Sequence, residues 1–290
     1  MSRIVAIVTG ASSGIGRATA KRLARDGYAV VVTARRTDLL DSLAEEVRNE
    51  GGECLAFPGD IRDPFHCARL VETSGAWGET EVLIANAGMG YTGPFDLMTD
   101  DEMRKLIDVN ILGVMRPIRE IIPRMKERSS GKIVIIGSVL SRASSPGTAV
   151  YCATKHAVVG FADALRHELS SSGIRVISIL PGYTSTDFFN AMIQRGDRAV
   201  DEIKKYWFFH SPEHVADVIA RRIERPVAEV VIGGLNTAVV LLATRLPGLY
   251  HRLLDVAEIV GRKIKDHHAR KAEESEAQPS EPDSMPNSAS

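Results

Sequence analysis

Short runs rich in β-branched residues alternate along this chain with segments of helical periodicity, and this alternation restricts the fold more than any other feature. Nearly continuous apolar strands indicate burial on both faces, as in a parallel sheet covered by helices. Right-handed crossovers then predict a single α/β domain with a doubly wound, Rossmann-type sheet that binds ligands at the carboxyl ends of its strands. The predicted strands lie at residues 4–9, 29–33, 53–57, 82–85, 132–137, 175–180 and 229–232.

Length, charge and cysteine content narrow the class of protein. The 290 residues are enough for one large domain, and a net charge of -1 gives no general attraction to nucleic acid or to an anionic membrane. The three cysteines lack metal-ligand spacing and the apolar runs are too short to cross a membrane, which favours a reducing, cytoplasmic setting. We expect a catalytic domain at 1–235, a helical extension at 236–265, and a disordered polar tail at 266–290.

A glycine-rich turn separates the first predicted strand from a helix predicted over 15–25. Glycines there permit a tight turn and close backbone approach to a pyrophosphate, while the helix N-terminus provides free N–H groups. The spacing is GxxxGxG, and in this strand–turn–helix setting it resembles the short-chain dehydrogenase/reductase family. The candidate cofactor-binding residues of this turn are Gly10, Ser12, Ser13, Gly14, Ile15 and Gly16.

The end of the second strand bears on the choice between NADP(H) and NAD(H). An NAD site generally places a carboxylate here to accept hydrogen bonds from the ribose hydroxyls, but this position is Ala34 and is followed by Arg35 and Arg36. An arginine there can clamp a 2′-phosphate with charge-assisted hydrogen bonds. A second basic position of the family, just before Gly14, is Ser13 in this chain. The sequence therefore predicts NADP(H), with a solvated charge pair as the alternative interpretation of the arginines.

Further motifs follow in the order that the family has them, and the resemblance covers residues 3 to 235. It implies an adenine-contacting pair after the third strand, a cofactor-lining motif after the fourth, and a segment near the nicotinamide carboxamide after the sixth. In the last segment threonine replaces the usual valine at position 184, so we assign that contact to the backbone. These candidates are Asp60 and Ile61, then Asn86, Ala87 and Gly88, and finally Pro181, Gly182, Thr184 and Thr186.

Tyr151 and Lys155 are four residues apart, on one face of a helix predicted over 150–169. A phenol has an ordinary pKa of about 10, and a nearby ammonium favours the phenolate and lowers that pKa. We therefore expect Tyr151 to be the general acid in reduction and the base in oxidation. Ser138, at the end of the fifth strand, is expected to hold the substrate oxygen. The resemblance implies that Asn110 is the fourth catalytic residue and that Lys155 also binds the nicotinamide ribose.

Two segments keep more than one interpretation. The aromatic residues at 206–209 are compatible with an ordinary core and with a lid over the substrate. The apolar helical stripe within 246–264 is expected to pack on its own domain or on a partner subunit, with peripheral membrane contact as the minority interpretation. His267 and His268 lack further ligands at suitable spacing, so no metal site is predicted.

Together these features predict an NADP(H)-dependent oxidoreductase that moves a hydride between the nicotinamide and a carbonyl or secondary alcohol of a small, hydrophobic substrate. A homodimer or homotetramer is expected, with neither nucleic acid nor a membrane as partner. The alternative is a sensor or scaffold protein that binds NADP(H) without turnover, although such proteins commonly lose the Tyr–Lys pair. An enoyl reductase would generally place its tyrosine and lysine farther apart than four residues.

Overall fold

A computed structural model of the chain describes residues 3–196 and 210–259. The aromatic residues at 206–209, the histidines at 267 and 268, and the tail at 266–290 lie outside this described part. The chain divides into two compact units, Met1–Thr244 and Arg245–Ser290, which are treated separately below. The domain boundary expected at residue 235 stays a prediction.

Strands and helices alternate throughout the first unit. The strands are β1 (Ile4–Thr9), β2 (Ala29–Thr33), β3 (Cys54–Ala56), β4 (Glu79–Ala85), β5 (Tyr91–Thr92), β6 (Gly131–Ile136), β7 (Ile174–Leu180), β8 (Ile193–Gln194) and β9 (Glu229–Val231). The helices are α1 (Gly14–Arg25), α2 (Thr37–Asn49), α3 (Pro64–Trp77), α4 (Asp100–Ile107), α5 (Gly113–Glu127), α6 (Ala149–Glu168), α7 (Pro212–Glu224) and α8 (Gly234–Arg245).

Seven of these strands form one parallel sheet in the order β3-β2-β1-β4-β6-β7-β9. The doubly wound sheet expected from the sequence is therefore confirmed. Alternate residues of β1 explain the two apolar layers: Ala6 and Val8 join the core on one face, while Val5 and Ile7 join the core on the other. Because both faces are covered, each strand needs apolar side chains in both directions, which is the pattern that the sequence shows.

The strand order reverses between β1 and β4, which is the point of the sheet where a ligand-binding crevice is expected. Chain connections lead away from β1 towards β3 on one side and from β4 towards β9 on the other. In such sheets a crevice opens where the order reverses, outside the carboxyl ends of the strands. The glycine turn after β1 and the segments after β4, β6 and β7 therefore meet at one edge of the sheet.

Two short elements lie beside this edge and were not predicted. Residues 108–112 form a π-helical turn between α4 and α5. The two-residue strands β5 and β8 pair in parallel, with Tyr91 opposite Ile193. This pairing fastens the segment that follows β7 to the loop that follows β4.

In the second unit, residues 247–259 are helical. Large apolar side chains of its described residues are about half exposed: Leu246, Leu249, Leu253, Val256 and Ile259. What covers this stripe stays a prediction. Within the described residues, no helix combines the length and apolar character needed to cross a bilayer.

Candidate active site

The turn between β1 and α1 is built for close backbone approach. Gly10 and Gly14 have φ values of 65° and 56°, in the left-handed region that favours glycine. A Cβ on Gly16 would overlap the carbonyl oxygen of Gly10 and lie 2.5 Å from Asn86 Nδ2. Helix α1 has no acidic residue in its first turn, so no carboxylate of its own compensates the positive end of its dipole. The turn thus has the shape and the polarity of a phosphate cradle.

Buried hydrogen bonds fix this turn to the end of β4. The hydroxyl of Thr9, at the end of β1, accepts from the backbone N–H groups of Asn86 and Ala87, each at 3.0 Å. In return the Asn86 amide donates to the carbonyls of Thr9 and Gly10, at 2.9 and 3.2 Å. The role expected for Asn86 in supporting the sheet has this physical basis, whereas Thr9 was missed because a threonine in a strand looks ordinary.

The two arginines after β2 occupy different positions. Arg36 Nη2 donates to the hydroxyls of Ser12 and Ser13, at 2.9 and 2.8 Å, and so reaches across to the glycine turn. Arg35 is exposed, and its charge contributes to the lowered pKa of Asp60. The sequence ranks Arg35 first as the candidate clamp, but the structure brings Arg36 into direct contact with the turn. Both arginines follow within three residues of the end of β2.

Asp60 and Ile61 follow β3, on the same side of the cleft. The Arg62 guanidinium binds both Asp60 carboxylate oxygens, with Nη2 at 2.7 Å from Oδ2, and holds the pKa of that carboxyl below its usual range. Ile61 packs against Ala87 and Cys67. The expected adenine pair is therefore next to the motif after β4, with its carboxylate fixed by a neighbouring cation.

Asn110 lies in the π-helical turn at the start of α5 and is fully buried. Its amide pairs with the backbone of Met89, accepting from the N–H at 2.8 Å and donating to the carbonyl at 2.9 Å, and also donates to Thr154 Oγ1 at 3.1 Å. A π-helical turn widens the helix by one residue and is often found at functional sites. Here it turns Asn110 inward, between the loop after β4 and helix α6.

Tyr151 and Lys155 share one face of α6, as the spacing predicts, and both are buried. Ser138, two residues beyond the end of β6, lies near enough to the Tyr151 hydroxyl to lower its pKa. Lys155 Nζ donates to the Ile136 carbonyl at 3.1 Å and lies 5.8 Å from the centre of the Tyr151 ring. A Cβ on Gly88 would lie 3.5 Å from Asn110 Oδ1 and 3.6 Å from Lys155 Nζ, so these groups line one small space.

Burial governs the proton affinities of this pair. It raises the pKa of Tyr151, against the opposite effect of the nearby Ser138 side chain, and lowers the pKa of Lys155 to about 8. The sequence predicts that Lys155 lowers the pKa of Tyr151. In the structure, burial raises that pKa instead. At neutral pH the phenol is protonated, which is the form that donates a proton.

The residues after β7 form the opposite wall. Pro181 and Gly182 lead into Thr184, whose backbone bridges to His210. A cleft of about 580 Å³ separates this wall from the glycine turn. Its lining residues are Gly14, Ser185, Thr186, Asp187, Phe189, Asn190 and Pro212. A Cβ on Gly14 would lie 2.9 Å from Thr186 Cγ2, so the two walls nearly touch at this point.

Beyond Tyr151 the wall becomes apolar. The Phe188 ring is 6.2 Å from the Tyr151 ring and meets Phe189 edge to face. Tyr91 and Leu106 are fully buried beside Tyr151, and further apolar residues pack on them: Met89, Met98, Leu140, Val150, Phe188 and Ile193. Neither Met89 nor Tyr91 was predicted, because the loop after β4 has neither strand nor helix periodicity.

The family model for short chain dehydrogenases matches residues 4–196, which are more than half of the chain. The chain belongs to the short-chain dehydrogenase family. An uncharacterised oxidoreductase of Listeria monocytogenes is 32% identical over 226 residues, which cover 77% of this chain and 91% of that protein. The resemblance expected from the motifs is thus confirmed, and the chain is an oxidoreductase of this family.

Two solved structures show which cofactors similar proteins hold. A short-chain dehydrogenase from Sphingobium yanoikuyae in complex with NADPH has a TM-score of 0.73 at 30% identity, with 87% of this chain and 95% of that chain covered. A 3-ketoacyl-(acyl-carrier-protein) reductase from Brucella melitensis complexed with NADH has a TM-score of 0.71 at 26% identity, with 80% and 97% covered. A nicotinamide cofactor is therefore supported for this chain. The glycine turn, where an added Cβ would collide with backbone, has the close-approach geometry that such a cofactor's pyrophosphate needs.

Proposed function

We propose that this protein is an NADPH-dependent carbonyl reductase whose proton donor is Tyr151. The observation that carries the proposal is the burial of Tyr151 and Lys155 one helical turn apart on α6, with Ser138 beside the Tyr151 hydroxyl, at the edge of the sheet where the glycine turn lies. When bound, NADPH supplies a hydride to the carbonyl carbon. Tyr151 gives its proton to the carbonyl oxygen, so that the ketone or aldehyde becomes an alcohol.

Ser138 orients the substrate in this proposal. Its hydroxyl is fixed by the Leu140 N–H, which donates to it at 3.1 Å, and lies beside the Tyr151 hydroxyl, whose pKa it lowers. A carbonyl oxygen between these two hydroxyls would be held at the point where its charge develops, which is the arrangement that lowers the barrier most effectively. Lys155 and Asn110 complete the set, Lys155 as a ligand of the nicotinamide ribose and Asn110 as the anchor of a proton path to it.

The preference for NADPH rests on Arg35, Arg36 and the uncharged Ala34. Arg36 already donates to Ser12 and Ser13, and this contact with the glycine turn supports a role for its charge at the ribose edge of the cofactor. Charge-assisted hydrogen bonds to a phosphate contribute about 1.5–3 kcal/mol each, or a preference of roughly 10-fold or more. We expect kcat/KM with NADPH to exceed that with NADH at least ~10-fold.

A double variant tests this preference. Ala34→Asp with Arg35→Ala adds a repulsive carboxylate and removes one cation, so the preference should move towards NADH with little change in kcat at saturating cofactor. Arg36→Ala tests the arginine that the structure brings to the turn. A wild-type preference for NADH would overturn the NADPH assignment and leave the catalytic assignment intact.

The reaction itself is tested by following NADPH oxidation with a panel of ketones and aldehydes. The apolar wall around Phe188 and Tyr91 favours uncharged, hydrophobic carbonyl compounds over small anionic ones. We expect turnover with at least one apolar ketone of the panel. If the protein binds NADPH tightly and reduces none of them, a non-catalytic sensor becomes the better account.

A further inference from the structure

His66 is a buried histidine that none of the roles above uses. It lies in the first turn of α3 with 3% of its surface exposed. Its Nε2 is 2.8 Å from Thr33 Oγ1, and its ring stacks on Phe57 with the ring centres 5.1 Å apart. Both neighbours are at strand ends, Thr33 closing β2 and Phe57 following β3.

The hydrogen bond to Thr33 reaches the segment that carries the arginines. The Thr33 carbonyl accepts from the Ala11 N–H of the glycine turn at 3.2 Å, so this residue joins the turn to the end of β2. Ala34, Arg35 and Arg36 follow immediately. The imidazole therefore holds the side chain of Thr33, the residue directly before the segment that we propose binds the 2′-phosphate.

The same ring also supports the adenine side of the cleft. A Cβ on Gly59 would overlap His66 Nδ1, so the imidazole lies directly against the Gly59 backbone. The Gly59 N–H donates to the Ala34 carbonyl at 3.0 Å, and Asp60 comes next in the chain. One buried ring thus contacts both strand-end segments between which the adenosine part of the cofactor would lie.

We infer that His66 is a positioning residue for the adenosine 2′-phosphate site, one that sets the discrimination between NADPH and NADH through Thr33 and Gly59. This inference rests on the proposed NADPH preference. A histidine that only fills the core would contribute to the free energy of unfolding and leave the ratio of the two cofactor affinities unchanged. That difference makes the two roles separable.

Direct binding measurements on the purified protein test the inference. His66→Leu removes the hydrogen bond and keeps much of the volume, while Thr33→Val deletes the partner hydroxyl and keeps its shape. We expect each substitution to raise the dissociation constant of NADPH about 5–10-fold, which is the effect of one lost hydrogen bond. The dissociation constant of NADH should rise by less than half of that factor. Dissociation constants for both cofactors come from fluorescence titration, and the kcat at saturating NADPH should stay within about twofold.

Two further variants sharpen the test. His66→Gln retains a side-chain amide that can meet Thr33, so it should recover part of the lost NADPH affinity. The double variant His66→Leu with Thr33→Val should be no weaker than the worse single variant, because both remove one interaction. Thr33→Val alone carries the test if His66→Leu does not fold.

Leu70→Ala is the matched control, since Leu70 is a fully buried residue one helical turn farther along α3, in the core layer on which Phe57 also packs. It should lower the melting temperature and leave the NADPH-to-NADH affinity ratio unchanged. If His66→Leu and Thr33→Val behave like this control, the inference is overturned. If the wild-type protein itself does not prefer NADPH, the proposed function fails at that point, before the variants are compared.

Discussion

The two walls of the cleft are built by different means. On the glycine-turn side, backbone and small side chains make the contacts, as in the hydrogen bonds between Thr9 and Asn86 and the packing of Gly16 on Gly10. On the side formed by residues 183–196, aromatic rings pack on one another and an ion pair joins Arg195 to Glu102. A wall made of backbone suits one constant ligand, because few substitutions can reshape it. A wall made of side chains changes shape with single substitutions, which suits it to a substrate particular to this protein.

The largest effect that this comparison predicts is at Gly16. Gly16→Ala introduces a Cβ that overlaps the Gly10 carbonyl, and backbone atoms cannot move aside as a flexible side chain can. We expect NADPH affinity to fall at least ~100-fold, about 2.7 kcal/mol or more, because the turn can no longer approach the pyrophosphate closely. Calorimetric titration with NADPH measures this loss.

Gly160→Ala is the control for that variant. Gly160 lies in α6, and a Cβ there would meet nothing within 4 Å. Alanine in a helix interior is favoured over glycine by roughly 0.5–1 kcal/mol, so this variant should be slightly more stable and bind NADPH as the wild type does. Equal NADPH affinity in the two variants would show that the glycine turn is not a cradle.

Lys155 should show opposite effects on stability and activity. Its pKa in the folded protein is about 8, below the ordinary value of 10.5, so between these values the unfolded chain binds more protons than the folded one. The contribution of Lys155 to the free energy of unfolding therefore rises between about pH 8 and pH 10.5. Below pH 8 the buried ammonium lowers the free energy of unfolding by its full amount.

Lys155→Met removes that cost and also removes the proposed ribose ligand. We expect the free energy of unfolding at pH 7 to rise by about 1–3 kcal/mol, its increase between pH 8 and 10.5 to disappear, and turnover to fall at least ~100-fold. Urea titrations at several pH values measure the first two effects. A less stable variant with normal turnover would contradict both assignments.

The smallest effect is expected on the side-chain wall. Arg195 pairs with the mostly buried Glu102, and its backbone N–H donates to the Thr92 carbonyl at 2.9 Å beside the β5–β8 pair. Arg195→Met keeps the length of the side chain and removes the ion pair, which is worth at most about 1 kcal/mol for a half-exposed partner. We expect a roughly two- to fivefold higher KM for the carbonyl substrate and an unchanged dissociation constant for NADPH. An effect on NADPH alone would contradict the division between the two walls.

The parts of this molecule that follow local periodicity could be predicted from the sequence. All seven strands of the main sheet were predicted, because strands buried on both faces need apolar residues at every position. The shared face of Tyr151 and Lys155 follows from the helical repeat alone. Ser138 could be proposed as a site residue because a residue just after a central parallel strand lies at the edge where ligands bind.

The parts that depend on contacts between distant segments could not be predicted. The π-helical turn at Asn110 is stabilised by the Met89 backbone, 21 residues earlier, and the local sequence carries no sign of it. The contact of Arg36 with Ser12 and Ser13 depends on the path of the backbone after β2, which brings Arg36 rather than Arg35 to the glycine turn. His66 has no sequence signal, since its position is decided by a glycine and a threonine on two other elements.

The central claim is that Tyr151 transfers the proton in an NADPH-dependent carbonyl reduction, and a single-turnover experiment on Tyr151→Phe tests it most directly. The phenylalanine keeps the ring that packs on Phe188 and removes only the hydroxyl, which lies near Ser138. With NADPH already bound and a carbonyl that the wild type reduces, we predict hydride transfer at least ~100-fold slower in the variant, with NADPH affinity within a few-fold of the wild type. A transfer rate within about tenfold of the wild type, at equal NADPH occupancy, would contradict the account.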